Sequence, residues 1–125
     1  QIIRYAAALF QPFQAYDVAG IEMHHKQKLD SPSGTAKALA RDLLQHMPRL
    51  KEFDFSCIRS GHVPGTHTIQ FDSAEDTLTL AHQARNRNGF AKGALTAAAW
   101  LINRRGFYSL DDLMQDFLPR GHACH

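Results

Sequence analysis

The sequence predicts an α+β fold: a mainly antiparallel or mixed sheet of about four strands with helices packed on one face. Three observations lead there. Four segments carry apolar residues at helical spacing, and four short segments alternate with period two. The last two of those alternating segments are joined by a tight Asp72-Ser73-Ala74-Glu75-Asp76 connection, which predicts an antiparallel hairpin.

The elements follow in order. Ile2, Ile3, Ala6, Leu9, Phe10 and Phe13 recur at steps of three and four, predicting a helix over 1–16. Pro12 lacks an amide donor, so a break is expected near residue 11. Val18, Ile21 and Met23 predict a strand over 17–24, interrupted by Gly20. A polar loop leads to a helix over 34–47, with Ser33 as N-cap and Ala36, Leu39, Ala40, Leu43 and Leu44 as its buried face. Pro48 stops it. Strands are expected over 53–59, 66–72 and 77–82, with Leu78 and Leu80 sharing a face in the last. A helix over 90–103 turns Ala94, Leu95, Ala98, Leu101 and Ile102 inward, and its Ala97-Ala98-Ala99 run suggests close packing. Ser109-Leu110-Asp111-Asp112 caps a short last helix through 118. A sheet covered on one face leaves the other open, and a partner subunit is the expected cover.

Composition narrows the class. The chain has 125 residues, 44% apolar and 21% charged, which suits one domain with a core and excludes a disordered tail. No apolar run approaches the roughly 18–20 residues that span a bilayer. A net charge of +2 argues against nucleic acid or a membrane surface as the partner. Two cysteines make no disulfide framework, and such usage fits a reducing cytoplasm. Cys57 reads as a small buried hydrophobe, and the Gly121-His122-Ala123-Cys124-His125 run reads as a terminal tail rather than a metal site. The start at Gln1, without methionine, suggests a cut made upstream.

Chemistry concentrates in Glu22-Met23-His24-His25-Lys26-Gln27-Lys28-Leu29-Asp30-Ser31-Pro32-Ser33-Gly34-Thr35-Ala36. Two histidines end a strand, a lysine follows within one loop, and Ser-Gly-Thr opens a helix. Free amides and the positive dipole end of that helix suit an anion. Gly34 lets a ligand approach the backbone, Thr35 adds a hydroxyl and Lys28 a full charge. The pattern fits a site for a small dicarboxylate or phosphate with an imidazole poised for proton transfer. It equally fits an ordinary capped helix beside a polar loop. Neighbouring histidines on a strand face opposite ways, so they are poor co-ligands, and no third histidine is close in sequence; no metal is expected. Two further loops stay open. Arg59-Ser60-Gly61-His62-Val63-Pro64-Gly65-Thr66-His67 reads first as a turn with solvated charges, or else presents a guanidinium or imidazole. Arg85-Asn86-Arg87-Asn88-Gly89-Phe90 either holds a phosphate or solvates a helix start.

The motif His-His-x-x-Lys-x-Asp-x-Pro-Ser-Gly-Thr-Ala, from His24 to Ala36, resembles that of the dihydrodipicolinate reductase (4-hydroxy-tetrahydrodipicolinate reductase) family. The Arg59-to-His67 loop, Arg87…Phe90-Ala91-x-Gly93-Ala94 and Gly106-Phe107-Tyr108-Ser109-Leu110-Asp111-Asp112-Leu113 are similar to family segments in the same order. Ser31 stands where the family more usually has alanine. The resemblance implies the C-terminal substrate-binding and tetramerisation domain, spanning 1–125, of a reductase of lysine (diaminopimelate) biosynthesis. It implies an NADPH- or NADH-dependent oxidoreductase, cytoplasmic or, in a plant, plastid. No Gly-x-Gly-x-x-Gly fingerprint occurs, so the cofactor would be held mainly by an absent N-terminal domain, and 105–125 would pack on it. This chain alone would then be inactive. Carried over by position, His24 would be the catalytic acid and Lys28 its partner. His25, Lys28, Gly34 and Thr35 would bind the carboxylates of the cyclic substrate, and Arg87 and Phe90 would lie toward the cofactor. Pyridine-2,6-dicarboxylate would be an inhibitor. A stand-alone oligomerisation or dicarboxylate-binding module without catalysis is the alternative.

Overall fold

The computed structural model describes residues 1–118, so the histidine- and cysteine-bearing tail lies outside the described residues. It divides into two compact units, 1–85 and a second beginning at Asn86. The first unit holds α1 (Ile2–Phe10), β1 (Asp17–His24), α2 (Gly34–His46), β2 (Ser56–Arg59), β3 (Thr66–Asp72) and β4 (Thr77–Gln83). The second holds α3 (Asn88–Leu101) and α4 (Leu110–Phe117).

The sheet runs β2-β1-β3-β4. β1 and β2 are parallel, as a crossover through α2 requires, while β3 pairs antiparallel with both β1 and β4. The expected mixed sheet and the hairpin are both present. Ala6 and Ala7 of α1 and Ala36 and Leu43 of α2 join Met47, Phe55, Ile69 and Phe71 in one buried cluster, so α1 and α2 share a face. The alanines let the helices approach closely, and Phe10 stacks on Phe71 with ring centroids 4.6 Å apart.

Several expectations need correction. α1 ends at Phe10, at the break expected near residue 11, and does not resume toward residue 16; Ile2, Leu9 and Phe13 stay exposed because the layer beneath covers only part of the apolar band. Gly20 does not interrupt β1. A Cβ there would come within 2.6 Å of the Phe53 ring and 2.9 Å of Phe55, so glycine is what lets these rings lie on the strand. β2 starts at Ser56 rather than Phe53. The Asp54 carboxylate accepts the Phe55 amide at 2.8 Å, a local bond that competes with the ladder. Leu80 is half-buried but Leu78 is exposed, as suits the edge strand β4. Cys57 is half-buried, and its thiol donates to the Phe55 carbonyl at 3.3 Å.

In the second unit no residue of α3 is buried, including Ala94, Leu95, Ala98 and Leu101. Ile102 just beyond it is exposed as well. Two short helices cannot bury each other's apolar faces. The unit is held instead by a polar and aromatic cluster. Asp116 accepts from Trp100 Nε1 at 2.9 Å and from Arg104 at 2.6 Å, and the Arg104 guanidinium lies 4.0 Å from the Trp100 ring centroid. Ser109 and Asp112 form the expected capping box.

Candidate functional site

A row of polar side chains crosses the sheet where β1 ends. Register sets it: His24 pairs with Arg59 of β2, Glu22 with His67 of β3, and His67 with His82 of β4. Period two places Glu22 and His24 on one face of β1, and Glu22, His24 and His67 are all buried.

Glu22 is its centre. Oε1 accepts the Ser33 amide at 3.0 Å and the Arg59 guanidinium at 2.6 Å. Oε2 lies 3.6 Å from His24 Nδ1 and 3.4 Å from His67 Nε2. Burial resists ionisation of this carboxyl. Bonds from the Ser33 hydroxyl, Arg59, Cys57 and the Ser33 amide outweigh it and hold the pKa down to about 2. Both imidazoles shift the other way from a pair with a free carboxylate. Burial lowers the His24 pKa; Glu22 opposes that, while Arg59 and Lys28 add to it. Burial and then the neighbouring His24 lower His67, against Glu22.

The anion half lies on the loop and helix that follow. Ser33 caps α2 as expected, its Oγ accepting the Ala36 amide at 3.1 Å and lying 3.1 Å from His67 Nε2. That leaves Gly34 and Thr35 exposed on the first turn, with nothing within 4 Å of a Cβ built at Gly34. Lys28 Nζ donates to Asp30 Oδ1 at 2.6 Å. Lys28, foremost, and the Gly34 amide among others lower the Asp30 pKa. A carboxylate of the protein itself thus uses the cation and the helix end that the sequence offered to a ligand. Arg59 also donates to the Asp30 carbonyl at 2.7 Å, tying this loop to Glu22. His25 leaves the strand: its amide donates to the Val63 carbonyl at 2.8 Å and its side chain is half-buried.

The structure therefore brings His24, Lys28, Gly34 and Thr35 to one end of the first unit, with His25 beside them. Arg87 and Phe90 belong to the second unit, where Arg87 precedes α3 and both side chains are exposed. Sequence reasoning gave Glu22 no role and left Arg59 and His67 in a turn. The available signal was a glutamate two residues before His24, on the strand face that also carries Val18 and Gly20. The expectation of no third histidine near His24 is corrected: ligand atoms of Glu22, His24 and His67 lie within 4.8 Å of one another. Arg59 already neutralises this carboxylate, which weighs against a divalent cation. An apolar cleft of about 370 Å³, lined by Ile3, Leu39, His67, Ile69, Leu80 and His82 among others, adjoins the row but offers no lysine or arginine.

Comparison with known proteins gives the family. Residues 1–114 match the family model described as "Dihydrodipicolinate reductase, C-terminus". The chain belongs to that family. A 4-hydroxy-tetrahydrodipicolinate reductase from Christiangramia forsetii is 38% identical over 120 residues, covering 88% of this chain and 50% of the relative. One from Methanoregula boonei is 35% identical, covering 91% and 49%. The chain thus spans about half the length of the curated relatives it matches. A solved dipicolinate-bound dihydrodipicolinate reductase from Paenisporosarcina sp. TG-14 superposes with a TM-score of 0.63 at 27% identity, covering 75% of this chain and 42% of that one. The α+β fold is that of the reductase C-terminal domain. Among the described residues no helix is long and apolar enough to cross a membrane.

Proposed function

We propose that this chain is the substrate-binding half of a dihydrodipicolinate reductase, an oxidoreductase of lysine and diaminopimelate biosynthesis. The observation that carries this reading is the carboxylate site itself. Lys28 donates to the Asp30 carboxylate, whose charged form the Gly34 amide also favours, beside the buried His24. A cyclic dicarboxylate would displace Asp30, bind Lys28 and the Gly34 and Thr35 amides, and contact His25. The dipicolinate in the Paenisporosarcina relative supports a ligand of this chemistry.

The family implies a pyridine nucleotide. The described residues do not fit one, since no strand here turns into a helix through a glycine-rich loop; α2 opens with a single glycine after a capping serine. NADPH or NADH is assigned to the part of the full-length relatives that this chain does not span, with Arg87 and Phe90 toward the cofactor and residues 105–118 packing on that part. What this chain supplies is orientation and a proton. Two incoming carboxylates raise the low pKa of His24, so that the imidazolium forms beside the substrate and donates its proton to the reduced ring. Lys28 must stay charged to offset the same carboxylates.

Titration with pyridine-2,6-dicarboxylate tests the reading. The Gly34 and Thr35 amides and the His25 ring should shift in NMR spectra, and Lys28→Ala should weaken binding by roughly 10- to 100-fold, the range for a charge-assisted hydrogen bond. A folded sample with no shifts at these positions sinks it. A second reading, an oligomerisation module, draws on the sheet face opposite α1 and α2, where Ile21 and Ile58 are each 41% exposed. The two readings are compatible, and we propose that this face assembles the reductase as a homotetramer.

A further inference from the structure

We propose that Glu22 is a positioning residue that fixes His24 in its Nδ1–H tautomer, making Nε2 the nitrogen that faces the substrate. This deepens the reductase reading and rests on it for the role of His24. Glu22 Oε2 and His24 Nδ1 are buried and have no hydrogen-bond partner at ordinary distance, yet they face one another at 3.6 Å. Oε2 is the acceptor that faces His24 Nδ1, a ring nitrogen able to carry a proton, although His67 Nε2 also approaches the same oxygen at 3.4 Å. The carboxylate cannot turn away, because Arg59 and the Ser33 amide hold its other oxygen.

On the opposite side of the ring, Nε2 lies against Gly65, where the lack of a side chain leaves the nitrogen room. A Cβ at Gly65 would stand 3.0 Å from His24 Nε2, and Gly65 has φ +156, a conformation that side chains disfavour. Any other residue there would press on the nitrogen that must work. The same loop closes on the end of β1, since the Ser60 amide donates to the His24 carbonyl at 2.9 Å.

Groups on every neighbouring element face this imidazole. Glu22 of β1 favours its cation. Arg59 of β2, Lys28 of the loop and His67 of β3 disfavour it, and Asp30 of the loop offsets Lys28. His67 reaches the same Oε2 at 3.4 Å, with its ring centroid 5.1 Å from that of His24. Two cations so close repel, so the carboxylate supports one imidazolium at a time. A dicarboxylate that displaces Asp30 brings two negative charges where Asp30 held one, and so tips the choice to His24.

The test needs no ligand. In the 125-residue chain labelled with 15N, with His24 assigned through His24→Asn, the ring-nitrogen shifts at pH 8 should report Nδ1–H. The Nε2–H tautomer would overturn the proposal, and this readout requires no Glu22 variant to fold. Glu22→Gln should then lower the His24 midpoint by about half a unit or more. An unchanged midpoint in a folded variant would show that Glu22 is merely structural. Failure of pyridine-2,6-dicarboxylate to bind while His24 remains Nδ1–H would count against the reductase reading alone.

Discussion

At the scale of single residues, three buried groups make the chain sensitive to pH. Glu22 is held well below an ordinary carboxyl, and His24 and His67 below an ordinary imidazole. All three are depressed, so each contributes stability that is complete above its unfolded-state pKa and fades as pH falls toward the folded one. The histidines should therefore begin to cost stability below about pH 6.5, and Glu22 should add its loss between about 4.5 and 2. Thermal unfolding from pH 8 to 3 checks this; a melting temperature flat between pH 6.5 and 5 would contradict it. A ligand that raises the His24 pKa must also bind more tightly when protons are plentiful. Pyridine-2,6-dicarboxylate affinity should accordingly rise as pH drops from 7.5 to 6. Asp30 supplies a separate test at the same site. Asp30→Asn frees Lys28 and the Gly34 amide, and should tighten dicarboxylate binding by roughly two- to fivefold, as loss of an exposed competing ion pair allows.

At the scale of elements, the junction of β1 and α2 carries the site, and its rigidity comes from caps and close approaches. Ser33 serves the helix, His67 and, through its amide, Glu22. Ser33→Ala should cost about 1–2 kcal/mol of stability for the lost cap alone. It should also shift the His67 resonances, which a cap elsewhere in the chain would not do. Gly20 has the comparable part in β1. Gly20→Ala would force Phe53 and Phe55 off the strand, and should destabilise by about 1–3 kcal/mol, the usual range for overpacking. Chemical denaturation measures both.

At the scale of the whole molecule, the two units differ in how they are held. The first has a continuous core around Leu43, Met47, Ile69 and Phe71, while the second buries Leu113 alone among its described residues. Leu43→Ala should therefore unfold the first unit's helical layer, costing about 2–5 kcal/mol. The open sheet face belongs to this scale too. Ile21→Glu with Ile58→Glu should leave the His24 tautomer unchanged but convert an assembled protein to smaller species in sedimentation velocity. Assembly that survives the double substitution would show that this face is not the interface.

How much was legible beforehand follows from the range of the interactions involved. Helical and alternating periodicities are local, so the α+β class, the elements in their order, the Ser33 cap, the Ser109 box and the hairpin could all be read from the chain. The motif from His24 to Ala36 is local as well; it identified the family and pointed to the carboxylate site proposed above. Only tertiary structure decided that Glu22 and His67 complete that site, because β1 and β3 meet through a register spanning 45 residues of sequence, from Glu22 to His67. It also decided that Arg59 joins Glu22, that Gly20 and Gly65 make room for rings rather than turns, and that α3 lies uncovered. Each depends on which surfaces meet, and periodicity along one chain says which face is apolar without saying what will lie against it.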